Sequence, residues 1–158
     1  MENEIEIITA ATEADFLQAK ELILEYTEWL NVDLSFQNFD AEMQSLHKMY
    51  NKPFGALFIA IKDGKAIGVV GLRQFSQSEC EMKRMFVKPE VRGFGIGKLL
   101  VENCIAMGKS LHYATMKLDT TNLMQSAIRL YIENGFAEIP AYRFNPDEGA
   151  RYFELDLT

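Results

Sequence analysis

Residues 91–100 of the chain read VRGFGIGKLL, with three glycines inside five positions. Arg92 stands before the glycines, Lys98 follows them, and an apolar run continues from the lysine. Glycine allows the backbone to come close to a ligand, but it is costly to order. A plain turn needs only one or two glycines, so this spacing favours the N-terminus of a helix that is kept free of side chains.

The glycines lie in a basic segment of an acidic chain. The 158 residues have a formal net charge of −7, whereas the segment 82–98 contains five lysines and arginines and one glutamate. The start of a helix presents unpaired N–H groups and the positive end of the helix dipole. These features together predict a seat for a pyrophosphate group.

Two nucleotide-binding glycine motifs fit the same stretch poorly. The dinucleotide fingerprint G-x-G-x-x-G would need a glycine at Lys98 or at Leu100. A P-loop would need a glycine at Arg92 and a serine or threonine at Leu99. The pyrophosphate seat therefore remains the preferred interpretation of the three glycines.

Composition limits the class of protein. With 48% apolar and 25% charged residues, the chain is typical of a single globular domain over residues 1–158. Its apolar runs are short and its first ten residues are acidic, so we expect neither a membrane span nor a secretory signal. The negative charge argues against nucleic-acid and membrane partners. Two cysteines and two histidines lack a zinc pattern, and we expect a cytoplasmic protein without a metal.

The predicted elements follow the order β α α β β β α β α β β. Strands are expected at residues 5–10, in a hairpin over 56–75, and at 79–87, 115–121, 136–144 and 150–157. Helices are expected from a start signal at Thr12 and Asp15 to Leu30, from Asp40 to Tyr50, from Lys98 to Met107 and from Leu123 to Glu133. This order predicts a mixed α/β (α+β) domain, an antiparallel meander followed by two β-α-β steps.

The segment Arg92–Gly97 resembles the R/Q-x-x-G-x-G/A motif of the GNAT superfamily of acyl-CoA-dependent N-acetyltransferases. The strand before it resembles the strand that precedes this motif in the family, and downstream Asn122, Ala127, Leu130-Tyr131 and Gly135-Phe136 match the family signature. The resemblance runs from about residue 56 to 157, and the first 55 residues match in element order alone. It implies a single-domain fold with a mixed, mostly antiparallel twisted sheet, splayed at the cofactor cleft and flanked by about four helices.

The resemblance also implies a reaction and a set of site residues. An acetyl group would move from acetyl-CoA to a primary amine of a small molecule or peptide, by direct attack in a ternary complex. Tyr131 would protonate the leaving thiolate. The implied cofactor-binding residues are Met85, Phe86 and Val87 for the pantetheine arm, and Arg92, Gly93, Phe94, Gly95, Ile96, Gly97 and Lys98 for the pyrophosphate. Asn122 would form a hydrogen bond near the pantetheine, Ala127 would leave room for the cofactor, and Tyr131 would lie by the thioester sulfur.

The proton acceptor is left open by the sequence. Some family members place a catalytic glutamate on the strand that contains Glu81, which makes Glu81 a candidate base. A structural ion pair of Glu81, or a water relay without a dedicated base, are the alternatives. Strict alternation would place Glu79, Glu81, Lys83 and Met85 on one face of the strand and Cys80, Met82, Arg84 and Phe86 on the other.

The acceptor and the partners are also open. Two inward-facing arginines among Arg73, Arg84, Arg143 and Arg151 would suit a carboxylate or phosphate on the acceptor, unless these arginines pair with acidic side chains. The acidic chain could instead attract a cationic amine. A CoA-binding sensor or partner protein without turnover is the alternative function, and the apolar closing strands leave a homodimer as an expectation.

Overall fold

The computed structural model describes residues 4–31 and 38–158. Within these residues, seven strands form one sheet in the order β1-β2-β3-β4-β5-β7-β6. The strands are β1 Ile5–Thr9, β2 Ala56–Lys62, β3 Lys65–Gln74, β4 Glu79–Val87, β5 Thr115–Thr121, β6 Ala137–Ile139 and β7 Ala150–Asp156. The helices are α1 Glu13–Leu30, α2 Phe39–Gln44, α3 Leu46–Met49, α4 Ile96–Ser110 and α5 Gln125–Glu133. No helix of the described chain is long and apolar enough to cross a lipid bilayer.

Helix α1 begins at a reciprocal cap. The Thr12 hydroxyl accepts the backbone N–H of Asp15 at 3.1 Å, and the Asp15 carboxylate accepts the N–H of Thr12 at 3.1 Å. This pair satisfies two N–H groups that the helix leaves unpaired. The start signal predicted from Thr12 and Asp15 is therefore confirmed.

The sheet separates two apolar clusters. Along β2, Phe58 and Ala60 belong to the cluster that contains residues of α4 and α5, whereas Leu57 and Ile59 belong to the cluster formed with α1, α2 and α3. Alternate residues of a strand point to opposite faces. The helices therefore cover the sheet from both sides, α4 and α5 on one face and α1 to α3 on the other.

Strands β4 and β5 are neighbours at one end only. They form the parallel pair of the sheet, and their pairing runs from Glu79 with Thr115 to Glu81 with Lys117. The other neighbouring strands are antiparallel. Beyond Glu81 and Lys117 a gap opens between the two strands. The predicted α/β fold with a mostly antiparallel, splayed sheet is confirmed.

A bulge in β4 corrects the predicted alternation. Between the pairs Val69–Phe86 and Gly71–Lys83, β4 has two residues where β3 has one, and Arg84 takes a left-handed backbone with φ of 60°. An extra residue shifts all later side chains to the other face. Met85 thus joins the α4 and α5 face with Cys80 and Met82, and Arg84 joins the face of Glu81 and Lys83.

Two predicted elements differ from the structure. The helix expected from Asp40 to Tyr50 is divided at Ser45, whose φ of −128° is not helical, so residues 4–31 and 38–158 contain five α-helices where about four were expected. The strand expected at 136–144 ends at Ile139. Pro140 follows directly, and proline has no N–H to extend a ladder. The segment after Pro140 leaves the sheet edge as an irregular loop.

Candidate functional site

The gap between β4 and β5 begins at a buried ion pair. Lys83 and Asp119 are the next residues on the same face of the two strands after their ladder ends, and Lys83 Nζ lies 3.8 Å from an Asp119 carboxylate oxygen. Burial lowers the pKa of Lys83 to about 8, although the charges of Glu81 and Asp119 act in the opposite direction. A charged pair therefore lies at the closed end of the gap.

The glycine stretch forms the entrance to α4. Gly93 and Gly95 have φ of 91° and 78°, and a Cβ on either residue would meet no atom within 4 Å. Gly95 is the N-cap of α4, and no side chain caps the helix there. This end thus offers backbone N–H groups at an open surface, as a pyrophosphate seat requires.

Gly97 differs from the two glycines before it. A Cβ on Gly97 would lie 3.2 Å from Met85 Cε and 3.3 Å from Leu130 Cδ2. Ile96 beside it is buried in the core. The first turn of α4 is therefore packed closely against β4 and α5, which fixes where its N-terminus opens.

Three of the five cations counted between residues 82 and 98 are paired with acidic side chains of the same chain. Lys83 pairs with Asp119, Arg84 pairs with Glu42, and Lys88 Nζ lies 3.7 Å from Glu25. The exposed cations beside the glycines are Arg92 and Lys98. The sequence count thus overstated the local charge, because it could not include acidic partners from distant elements.

Arg92 lies between the glycine loop and α1. Its guanidinium carbon is 4.8 Å from the centroid of the Trp29 ring, and its Nε donates to the Val87 carbonyl at 3.0 Å. Phe94, two residues later, is exposed. The side chain of Arg92 therefore ties the start of the loop to the end of β4.

The last residues of β4 border the gap. Phe86 and Val87 pair with Val69 and Gly68 of β3 along one edge of the strand. Because β5 pairs with β4 only as far as Glu81, the opposite edge of the segment Met85–Val87 faces the gap. A free strand edge of this kind can accept an extended ligand as an additional strand partner.

Helix α5 contributes a buried tyrosine. Tyr131 is 5% exposed, and its ring centroid lies 5.8 Å from that of Phe136. Burial raises the pKa of the Tyr131 hydroxyl, and the neighbouring Asp119 charge adds to this effect. The hydroxyl therefore keeps its proton at neutral pH and can donate it.

Two other predicted residues lie near the start of α5. Ala127 is half-buried, one turn before Tyr131 on the same helix. Asn122 is exposed at the end of β5, and its backbone N–H donates to the Gly149 carbonyl at 2.9 Å. These two positions thus lie at the end of β5 and in the first turn of α5.

Glu81 is fully buried and has three partners. Its Oε1 lies 3.1 Å from Arg73 Nη2, and its Oε2 lies 2.5 Å from Arg143 Nη2 and accepts the Tyr142 hydroxyl at 2.7 Å. Burial alone would raise the pKa of this carboxyl, but Lys83, Arg143 and Arg73 outweigh it, so the pKa is lowered. The ion pairs that the sequence left open for Glu81 are present.

The loop after Pro140 supplies two of these partners. Tyr142 and Arg143 reach Glu81 because the chain leaves the sheet at Ile139 instead of continuing as a strand. Sequence analysis named Arg143 as a candidate but missed Asp119. Its signal was the charged alternation of Lys117 and Asp119 in a strand whose other side chains are apolar or hydroxylated.

The cysteines are not set up for nucleophilic chemistry. Both Cys80 and Cys104 are buried, and burial raises the pKa of the Cys80 thiol to about 12. A thiol is reactive mainly as the thiolate.

Across residues 4–31 and 38–158, no group of three or more histidine, cysteine, aspartate or glutamate side chains could hold a metal ion.

Comparison with known proteins identifies the same architecture. A sequence model of the acetyltransferase (GNAT) family matches residues 23–136. An uncharacterized N-acetyltransferase of Schizosaccharomyces pombe is 37% identical over 141 residues, which cover 88% of this chain and 86% of that protein. Human N-acetylaspartate synthetase is 31% identical over 102 residues, covering 63% of this chain and 34% of the synthetase.

Solved structures agree in fold. A GNAT-family acetyltransferase of Staphylococcus aureus superposes with a TM-score of 0.82 at 24% identity, over 98% of this chain and all of that one. The PaiA N-acetyltransferase of Thermoplasma acidophilum, crystallised with coenzyme A, has a TM-score of 0.73 at 17% identity, over 97% and 99% of the two chains.

Proposed function

Because this chain belongs to the acetyltransferase (GNAT) family, we propose that it transfers an acetyl group from acetyl-CoA to a primary amine of a small molecule or a peptide. The observation that carries the proposal is the gap between β4 and β5. An open, uncapped helix N-terminus lies at its entrance, and a protonated tyrosine is provided by the helix that follows β5.

The residues of the gap fit a CoA molecule. In this proposal the N–H groups of Gly93 to Lys98 bind the pyrophosphate, since a Cβ at Gly93 or Gly95 would extend into the space that the phosphates need. The free edge of Met85 to Val87 pairs with the amides of the pantetheine arm. Asn122 and Ala127 line the other side of the arm.

Acetyl-CoA supplies an activated thioester. The amine attacks its carbonyl carbon directly in a ternary complex, a C–N bond forms, the C–S bond breaks, and Tyr131 gives a proton to the departing sulfur. Because burial raises the pKa of the Tyr131 hydroxyl, this group is still protonated when the C–S bond breaks and is available as the proton donor. The buried, protonated Cys80 and Cys104 support direct attack over an acyl-cysteine route.

The amine must lose a proton, for which Glu81 and a water relay remain the two candidates. Glu81 is ionised, as a base must be, but its lowered pKa and three donors make it a weak one. These contacts favour the water relay and give Glu81 the role of positioning Arg73 and Arg143. An amine acceptor also agrees with the name of the N-acetylaspartate synthetase relative, whose product is an N-acetylated amino acid.

The proposal is tested by separating cofactor binding from turnover. Acetyl-CoA should raise the melting temperature, because it binds the native state alone, and an amine panel should release free CoA thiol. Thermal stabilisation without thiol release from any amine would favour the alternative, a CoA-binding sensor. No stabilisation at millimolar acetyl-CoA would refute the pyrophosphate seat and with it the proposed function.

A further inference from the structure

We propose that the amine acceptor carries an anionic group, a carboxylate or a phosphate, and that Arg143 and Arg73 bind this group at the closed end of the β4–β5 gap. The inference rests on the proposed function. It defines the chemical class of the acceptor, which neither the fold nor the family specifies.

The two arginines lie at the reacting end of the gap. Both are bound to Glu81, the last residue of β4 that pairs with β5. Lys83 and Asp119, the next residues on that face of the two strands, form the ion pair at which the gap begins. An amine that enters beside this pair would therefore carry its substituents past the guanidinium groups.

The charges at this point do not balance. We define the arginine cluster as two neighbouring groups of charges: Glu81 with Arg73 and Arg143, and Lys83 with Asp119. Among these described residues, three cations face two carboxylates, since one carboxylate, Glu81, serves both arginines. Other charges nearby are matched, because Lys117 pairs with Glu79 at 3.0 Å and Arg84 pairs with Glu42.

One donor of the cluster is unused. Arg143 Nε is buried and has no hydrogen-bond partner within the part of the chain that the structure describes, while Nη2 of the same group contacts Glu81. The guanidinium lies beside two aromatic rings, 5.2 Å from the centroid of Tyr142 and 5.8 Å from that of Phe75. A buried N–H without a partner is costly, and an anionic oxygen is its strongest partner.

The same cluster disfavours a polycationic acceptor. A polyamine would bring a second ammonium group close to Arg73, Lys83 and Arg143 in a region of low dielectric, where like charges repel strongly. An anionic substituent instead compensates the excess charge and uses the fork geometry of arginine. The local charge thus outweighs the negative charge of the whole chain in the choice of acceptor.

Calorimetric binding to the CoA-saturated protein tests this class without requiring turnover. The probes are matched amines that differ in the anion alone: L-leucine and 3-methylbutylamine, L-tyrosine and tyramine, O-phosphoethanolamine and ethanolamine. We expect the anionic member of at least one pair to bind about tenfold or more tightly, as a charge-assisted contact allows. The amino acids report a carboxylate, and phosphoethanolamine reports a phosphate.

Two variants test the residue assignment. Arg143→Gln should remove the preference for the anionic member and leave the CoA dissociation constant unchanged. Arg151→Gln is the matched control, because this arginine is half-buried, forms a bidentate pair with Glu138 and lies outside the cluster. If Arg143→Gln fails to fold, Arg143→Lys keeps the charge but not the fork, and a partial preference is expected.

Equal or tighter binding of the neutral amine in every pair would overturn the acceptor class, as would an Arg143→Gln variant that keeps the full preference. Neither result would affect CoA binding or thiol release, which test the proposed function separately. Failure of CoA binding would overturn the proposed function. The same amine pairs, titrated into the protein without CoA, would then still show whether the site prefers an anionic ligand.

Discussion

The guanidinium of Arg84 meets the carboxylate of Glu42 through two hydrogen bonds of 2.9 Å, across 42 positions of sequence. Both groups are almost completely buried, and the Tyr50 hydroxyl donates to the same carboxylate at 2.9 Å. Arg84 is the left-handed residue of the β4 bulge. The pair therefore fastens α2 and α3 to the point where β4 changes the direction of its side chains.

We predict that Glu42→Gln lowers the free energy of unfolding by about 3 kcal/mol, because Arg84 would stay buried without its counter-charge. The control is Glu138→Gln, which breaks an exposed bidentate pair with Arg151 of nearly the same geometry. It should change stability little, since exposed ion pairs contribute little. Urea unfolding of both variants measures the contrast, and equal losses would contradict the role given to burial.

The same pair sets a pH dependence. Burial would raise the pKa of Glu42, but Arg84 and Tyr50 outweigh it, so the folded pKa lies below the unfolded one. The contribution of Glu42 is therefore present at neutral pH and is lost as the pH falls through its folded pKa. The free energy of unfolding should therefore fall less between neutral and acidic pH in Glu42→Gln than in the unchanged protein. In Glu138→Gln the fall should be closer to that of the unchanged protein.

We predict that Gly95→Val weakens CoA binding at least about tenfold, because a branched side chain would occupy the proposed phosphate seat. Gly64→Val is a close control. Gly64 has φ of 76°, against 78° for Gly95, and a Cβ at either glycine meets no atom within 4 Å. Both variants thus share the backbone strain, and calorimetry with CoA isolates the effect of position. Similar dissociation constants in the two variants would refute the seat.

We predict that Tyr131→Phe lowers kcat by about 10² or more, with the CoA dissociation constant preserved, because the variant loses a proton donor and little volume. Tyr113→Phe is the control, since its hydroxyl instead donates to the Phe54 carbonyl at 2.7 Å. Initial rates of thiol release at saturating substrates give the comparison. Full activity of Tyr131→Phe would exclude Tyr131 as the acid.

We predict that Glu81→Gln raises the KM of the acceptor and leaves the shape of the pH–rate profile unchanged, because Glu81 positions two arginines in our proposal. Glu79→Gln, two residues earlier on the same strand, should change neither. Its carboxylate pairs with Lys117 instead. Loss of the acidic limb in Glu81→Gln would identify Glu81 as the catalytic base after all.

We predict that Thr12→Ala lowers the free energy of unfolding by about 1 kcal/mol through loss of the helix cap. Thr27→Ala serves as the control, because Thr27 lies inside the same helix and its hydroxyl donates to the Leu24 carbonyl and not to a helix-end N–H. Alanine is the better helix former there. Thermal unfolding should separate the two variants, and equal midpoints would argue that the cap contributes nothing to the folded domain.

The limits of sequence-based prediction are clearest along β4. Its extent from Glu79 to Val87 was predicted correctly, since β-type residues and the following Lys88-Pro89 mark it locally. The bulge at Arg84 was not predicted, because its stabilising partner Glu42 comes from α2. One extra residue reverses the face of every later side chain, so the predicted alternation was wrong for Met85.

Local signals were enough for the helix cap at Thr12, the glycine turn before α4, the hairpin at Asp63-Gly64 and the order of the elements, because each depends on neighbours in the chain. The ion pairs of the site could not be predicted locally, because folding brings their members together from distant parts of the chain. They are Glu81 with Arg73 and Arg143, Lys83 with Asp119, and Arg84 with Glu42. Which charged side chains pair depends on their distance in space and on their burial. The sequence gives neither quantity. The charged groups of the gap were therefore identified only in the tertiary structure, where β4, β5 and the loop after Pro140 lie together.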